Sequence, residues 1–242
     1  MVHTLPDYTT KYKMAKVFAN LDDAELAARL GSVNTFDRRG STIWYDDFES
    51  ATPKWRPLLR GDRGSIAISA EKCWMGSSSC KFVTGDQLLD FAYITKFFPV
   101  PSSTKIGLEL HIHPVGILND ITIGLHGDDS VTQYRAQLFY DVEDSTVSYI
   151  NSGGGRVPLK TDVLFVDGED IWIPLKLVMD WDTKKYIRAI VEDLDTDLSD
   201  QSIATYATTG KKFVSIEVSI QTSRAVAKTM YLDNVILTQN ES

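Results

Sequence analysis

The stretch from Asp170 to Asp200, DIWIPLKLVMDWDTKKYIRAIVEDLDTDLSD, constrains this chain most, because an antiparallel strand pair suits its text and little else does. Ile171, Ile173, Leu175, Leu177 and Met179 recur at every second position, with Trp172, Lys176 and Asp180 between them. Successive side chains of a strand point to opposite faces, so this alternation predicts a strand with one face in a core. Asp182, Thr183, Lys184 and Lys185 supply a polar turn. Tyr186 to Val191 then resumes the pattern, with Ile187, Ala189 and Val191 expected inward and Tyr186, Arg188 and Ile190 outward.

The same period recurs along most of the chain. Ile66 and Ile68 alternate ahead of a Gly-Ser turn, CWMGSSSC, that ends in Cys-Lys-Phe. Ile106, Leu108, Leu110 and Ile112 are expected inward, with Glu109, His111 and His113 outward. Tyr134, Ala136, Leu138 and Tyr140 form another inward set, which turns Arg135, Gln137 and Phe139 out, and Val214, Ile216, Val218 and Ile220 form a third. Leu88 to Phe98 is nearly all apolar and reads as a strand buried on both faces or covered by the N-terminal arm. NSGGGR, from Asn151, reads as a turn, since the spacing of a phosphate-binding loop is absent. Many short strands at this spacing predict an all-β, antiparallel two-sheet sandwich. A chain of 242 residues, 43% of them hydrophobic, is long enough to bury its core.

Residues 1–40 read differently. Asn20 caps a short helix, Asp22, Asp23 and Glu25 suit its N-terminal dipole, Leu26 and Leu30 share a side, and Gly31 stops it. SVNTFDRRGS follows as a linker. The expected organisation is an N-terminal helical arm over 1–40 and a sandwich over 41–242. An arm too short to fold alone is expected to exchange with symmetry mates, giving a homo-oligomer.

Charge and hydropathy exclude several classes. A net charge of −8 argues against nucleic acid as a partner and against an anionic membrane surface. No apolar run reaches the roughly 18 residues a membrane span needs. The N-terminus lacks the apolar core and cleavage site of a secretory signal. Cys73 and Cys80 flank the Gly-Ser turn, and either a disulfide or two buried thiols fits that placement.

Several motifs resemble a known group. The opening DDFE, the Gly-Ser turn with Cys-Lys-Phe, the hairpin text LKLVMDWDTKKY and the closing TMYLDNVILT resemble concanavalin-like and carbohydrate-binding-module jelly-roll sandwiches. That resemblance implies a jelly roll, here following the short helical arm read above, and a structural calcium between Glu49 and Asp233, two acids that could equally cap turns or pair with Lys or Arg. ELAARLGSVNTFDRRG joined to DDFE also resembles structural proteins of tailed phages, which implies a decoration or fibre role.

No catalytic constellation stands out. A retaining glycosidase needs two carboxyl groups about 5 Å apart, and the Glu-x-Asp-x-x-Glu text of such enzymes in this fold group is missing. Glu192, Asp193, Asp195 and Asp197 read as a solvated edge. His111 and His113 share a face but lack a third zinc ligand, so they read as a solvent-facing pair. Sugar binding needs aromatic faces and a few polar groups, for which Trp172, Trp181 and Trp74, with Glu109, His111, Arg135 and Gln137, are the candidates. The leading reading is a non-catalytic virion-surface structural protein with glycan-binding capacity, joined to virion proteins or its own copies through the arm. The alternatives are a secreted extracellular carbohydrate-binding module and a glycoside hydrolase-like enzyme.

Overall fold

A computed structural model of the chain describes residues 37, 39–50, 54–116, 120–163, 171–222 and 225–242. The arm expected over 1–40 lies outside these residues apart from Asp37, Arg39 and Gly40. The described residues form two antiparallel sheets and no helix. The first sheet runs β13 (Leu194–Asp197), β12 (Lys185–Val191), β11 (Ile173–Asp180), β6 (Lys105–Val115), β16 (Thr229–Gln239), β4 (Ser79–Val83) and β3 (Ser65–Ser69), with β1 (Ser41–Asp46) also on β16. The second runs β10 (Arg156–Lys160), β9 (Thr146–Ile150), β8 (Thr132–Asp141), β7 (Asp120–Asp128), β15 (Phe213–Gln221), β5 (Phe91–Phe98) and β2 (Arg56–Arg60), with β14 (Ala204–Ala207) on β8.

The inner faces meet in one apolar core. Ile106, Leu108, Leu110 and Ile112 of β6, Leu175 and Leu177 of β11, Ala136 and Leu138 of β8, and the valines and isoleucines of β15 are all buried there. These are the inward sets that the alternation predicts. The hairpin turn at Asp182 to Lys184 and the exposed acidic edge at Asp195 and Asp197 also stand as expected. Cys73 and Cys80 are free thiols, the second buried.

Three expectations change. Residues 88 and 89 belong to a turn rather than a strand, with Leu88 and Leu89 exposed. Asp90 closes that turn by accepting the Gln87 N–H at 3.0 Å. Next, Glu109, His111 and His113 do point out of the core, but all three are buried. Trp74 stacks on His111 with ring centroids 4.9 Å apart, and Trp172 leans on His113, whose Nδ1 lies 2.7 Å from the Ile171 carbonyl. The third change is in β12. A register shift between Val178 and Met179 pairs Arg188 with Val178 but Tyr186 with Met179, so Ile187 is skipped. A bulge flips every side chain beyond it, and Tyr186 rather than Ile187 enters the core.

That flip has a structural use. Strand β8 pairs with β14 through Thr132 to Arg135 and with β9 through Leu138 to Asp141, so its edge has no strand partner at 136 and 137. The Tyr186 hydroxyl crosses from the first sheet into this gap. It accepts the Gln137 N–H at 3.1 Å and donates to the Ile150 carbonyl at 2.6 Å.

A second polar device lies on the outer side of the first sheet. Lys176, fully buried, reaches Asp37 at 2.8 Å, Glu241 at 3.0 Å and Glu109 at 3.7 Å. Arg188 also pairs with Asp37 and Glu241. Burial alone would raise the Asp37 carboxyl, but hydrogen bonds from Arg39 and Lys176 overcome it and hold the group well below the usual carboxylate range.

Two outcomes follow for stability. Tyr186→Phe leaves a buried N–H and a buried carbonyl without their partner, so urea unfolding is expected to show a loss of about 1–3 kcal/mol. Lys176→Ala leaves Glu241 with Arg188 alone and Asp37 with Arg188 and Arg39, with an expected loss of about 3–5 kcal/mol. Arg39→Ala, at the exposed rim of the same cluster, is expected to cost about 1 kcal/mol or less.

Candidate functional site

The outer face of the second sheet carries a polar arrangement that solvent reaches only in part, since His126 is buried and the Glu217 side chain is 14% exposed. Antiparallel register places Glu217 of β15 beside Gly124 of β7, and Gly124 beside Gln137 of β8. A Cβ at Gly124 would stand 2.4 Å from Glu217 Cγ, so the glycine is the floor over which the Glu217 side chain lies. From there Glu217 gathers three groups. Gln137 donates to Oε1 at 2.8 Å, Tyr93 donates to Oε2 at 3.2 Å, and His126 Nε2 lies 3.2 Å from Oε1. Burial pushes the Glu217 carboxyl up, but His126, Gln137 and Tyr93 outweigh it and hold the group below its ordinary value, hence ionised at neutral pH.

Aromatic rings frame this cluster. Arg135, the register partner of His126, lies over the Tyr206 ring at 4.8 Å, and Tyr206 is 48% exposed. Phe97, also exposed, meets Phe213 edge to face at 5.2 Å. Phe139 carries the Arg156 guanidinium at 4.4 Å. Phe213 pairs in register with Asp128, which lines an open cleft of about 380 Å³ with Trp181, Tyr134 and Lys212 at the end of the sandwich. Gly127 makes room for the Trp181 ring, since a Cβ there would sit 1.7 Å from it.

The residues proposed from sequence are therefore dispersed. Arg135 and Gln137 stand together on the second sheet, and Trp181 lies in the adjoining cleft. Glu109, His111, Trp74 and Trp172 are on the outer side of the first sheet, with the whole core between them and Arg135. Tyr93, His126, Glu217 and Tyr206 went unnoticed in the sequence. The signal available for Glu217 was its place among the outward positions of a strand whose inward set, Val214 to Ile220, was read correctly.

Glu49 and Asp233 converge on one loop. Glu49 Oε1 accepts the N–H groups of Ser77 and Ser78 at 2.7 and 2.9 Å, and Asp233 Oδ2 accepts those of Trp74 and Met75 at 2.8 and 3.3 Å. Calcium takes about six to eight oxygens. Among the described residues no three His, Cys, Asp or Glu gather to hold a metal ion, and these carboxylate oxygens face N–H donors. That donor set suits loop capping rather than a cation.

No protein-family model matches the sequence, and no curated protein sequence matches it. Solved structures do match. The endo-β-1,4-glucuronan lyase from the fungus Trichoderma reesei superposes with a TM-score of 0.59 at 8% identity, over 83% of this chain and 96% of that one. The cellulose-induced protein Cip1 gives 0.52 at 13% identity, over 82% and 98%. A sialidase gives 0.50 at 9% identity, over 84% of this chain but 19% of its own. The fold is the concanavalin-like jelly-roll sandwich. At such identities the likeness speaks for the fold alone.

Asp233 offers a test of how the loop is held. Burial raises its carboxyl to about 7, against three backbone N–H donors that pull it down and with Glu49 adding to the rise. Below pH 4 the folded and unfolded states are both protonated. Between about 4 and 7 the unfolded chain ionises while the folded one keeps its proton, so this group's contribution to stability is lost as pH rises. His111, depressed to about 4 by burial, acts in the opposite sense over the same window. Urea unfolding of wild type and Asp233→Asn isolates the carboxyl: wild type is expected to lose stability relative to the variant from pH 4 to 7, and a flat difference would contradict the assignment.

Proposed function

We propose that this chain binds a glycan across the outer face of its second sheet. The observation that carries the reading is the cluster of Glu217, Gln137, His126 and Tyr93 over Gly124, bordered by Arg135 on the exposed Tyr206 ring. Sugars present apolar C–H faces and directional hydroxyls together. Accessible aromatic faces next to a small, fixed set of charged and amide groups match both. A neighbour of the same fold is a lyase acting on glucuronan, a polysaccharide. A glycan-binding sandwich works where polysaccharide is presented, at an extracellular or particle surface. Attachment to a virus particle through residues 1–40 draws on residues outside the described ones and adds nothing to this reading.

The reading stops at binding. Among the described residues, the side chains within hydrogen-bond distance of Glu217 are His126, Gln137 and Tyr93, a set that fixes the carboxylate as an acceptor.

A glycan array followed by calorimetry on the best ligand tests the proposal. Gln137→Ala and Tyr206→Ala are each expected to weaken binding about tenfold, roughly 1.4 kcal/mol. Trp74→Ala, on the other sheet, is expected to leave affinity unchanged. Silence across neutral and acidic polysaccharides would refute the proposal, and so would a ligand that responds to Trp74 rather than Gln137. Product analysis after long incubation with the bound glycan decides whether it is also cleaved.

A further inference from the structure

The arginines of this chain divide by place. Arg39 is bound to Asp37 and Asp195, Arg63 to Asp86, Arg156 to Asp120, and Arg188 to Asp37 and Glu241. Arg56, Arg60 and Arg135 have no Asp or Glu within ion-pair distance among the described residues, and all three stand on the outer face of the second sheet. Lysine is a strongly hydrated point charge common on any surface, whereas the guanidinium fork matches a carboxylate in two parallel bonds, so the arginines are the informative cations.

Register puts them there. Arg56, Leu58 and Arg60, all exposed, lie opposite Thr95, Tyr93 and Phe91. Directly opposed residues share a face. Tyr93 belongs to the outer one, since its hydroxyl meets Glu217 while Ala92 and Ile94 enter the core. Arg56 thus falls in one transverse row with Thr95, Glu217, Gly124 and Gln137, and Arg135 stands in the next, opposite His126. At about 4.8 Å between strands and 3.4 Å per residue, Arg56 is roughly 10 Å from Glu217 along the backbone grid, and Arg60 roughly 14 Å further along β2. The acids of this face are engaged within the chain. Glu217 has its three donors, Asp120 holds Arg156, Asp128 accepts the Ser130 N–H at 2.8 Å, and Asp141 accepts those of Glu143 and Asp144 at 3.1 and 3.3 Å. Three of these four belong to β7 and β8, so positive charge is left uncompensated on the β2 side.

We infer that the ligand of this face is an acidic polysaccharide, whose carboxylates meet Arg56 and Arg60 while its sugar rings cross the Glu217 row towards Arg135 and Tyr206. This rests on the reading that a glycan binds here and adds its chemical class. The chain's net charge of −8 opposes a polyanion at a distance, but physiological salt screens exposed charges beyond about 8 Å, so the arginines at the contact decide.

Calorimetry with polyglucuronate, polygalacturonate and alginate, each beside its carboxyl-reduced counterpart, and with dextran sulfate tests this. At least one polyuronate is expected to bind at least about tenfold more tightly than its reduced form and than dextran sulfate, two Arg–carboxylate pairs being lost or mismatched in the controls. Arg56→Ala and Arg60→Ala are each expected to weaken that binding about two- to fivefold, the range of an exposed ion pair. Arg56→Glu with Arg60→Glu is expected to weaken it at least about tenfold, since repulsion replaces attraction. Circular dichroism and melting temperature confirm that the variants are folded. A reduced form bound as tightly as its polyuronate, equal binding of dextran sulfate, or an affinity indifferent to the double reversal would overturn the inference while leaving a glycan face that responds to Gln137 and Tyr206. Silence from every polysaccharide, neutral ones included, would remove the underlying reading with it.

Discussion

Every strand of a two-layer sandwich gives one face to the shared core, so the parity of a residue within its strand decides on which side of the sheet its side chain stands. In this chain parity governs the site as firmly as the core. Val214, Ile216, Val218 and Ile220 must be inside, and that alone obliges Glu217 to face out. A single skipped residue, Ile187, reverses the rule in β12 and sends Tyr186 across the core to hold the Gln137 backbone. Gln137 is thus fixed from both sides: its main chain by a hydroxyl of the opposite sheet, its side chain by Glu217. The bulge and the outer cluster are parts of one arrangement, although no residue of β12 reaches the outer face of the second sheet.

The two outer faces illustrate how far parity can be pushed. Facing out of the core does not mean facing water. On the first sheet Lys176, Glu109, Arg188, Asp37 and Glu241 bury about as completely as the core leucines, and they persist there because opposite charges sit within 2.8 to 3.7 Å. Removing such charges from water is costly, and each depends on its partners to offset the loss. Asp37 lies before the first strand and Glu241 after the last, so this cluster ties both flanking segments to the sheet. On the second sheet Thr95, His126 and Ser215 are buried as well, while Tyr206 and Phe97 at its margins stay accessible.

Much of the fold was legible in the sequence because alternation is written residue by residue. The inward sets of β6, β8, β11 and β15, the turn through Asp182 to Lys184 and the acidic edge follow from it directly. Bulges leave no comparable mark: nothing in KYIRAIV says that Ile187 is the residue skipped. Pairing between strands distant in sequence is equally silent. Arg135 and His111 both read as outward positions, yet which sheet each strand joins is settled by β6 pairing with β11 and β16 while β8 pairs with β7, β9 and β14. That is why half of the sugar-contact candidates stand on the wrong side of the molecule for the other half. Burial of His111 and His113 was hidden for a related reason, since the rings that cover them come from Trp74 and Trp172, 37 and 59 positions away from their partners along the chain.

The tryptophans of this chain share one habit, for a physical reason. A large ring on the surface of a small sandwich lowers its free energy most by lying against something, and the tryptophans here do so: Trp44 and Trp55 on each other, Trp172 on His113, Trp74 on His111, Trp181 over Gly127. Stacking covers one face only, and Trp74, 44% exposed, keeps the other open. Tyr206 is open to a similar degree: it stands on the short strand β14, at the margin of the sheet, with Arg135 over one face of its ring. The polar groups follow the same logic. Glu217, charged and held by three neighbours, has little freedom left to lose, so the entropy of ordering this cluster is met in folding.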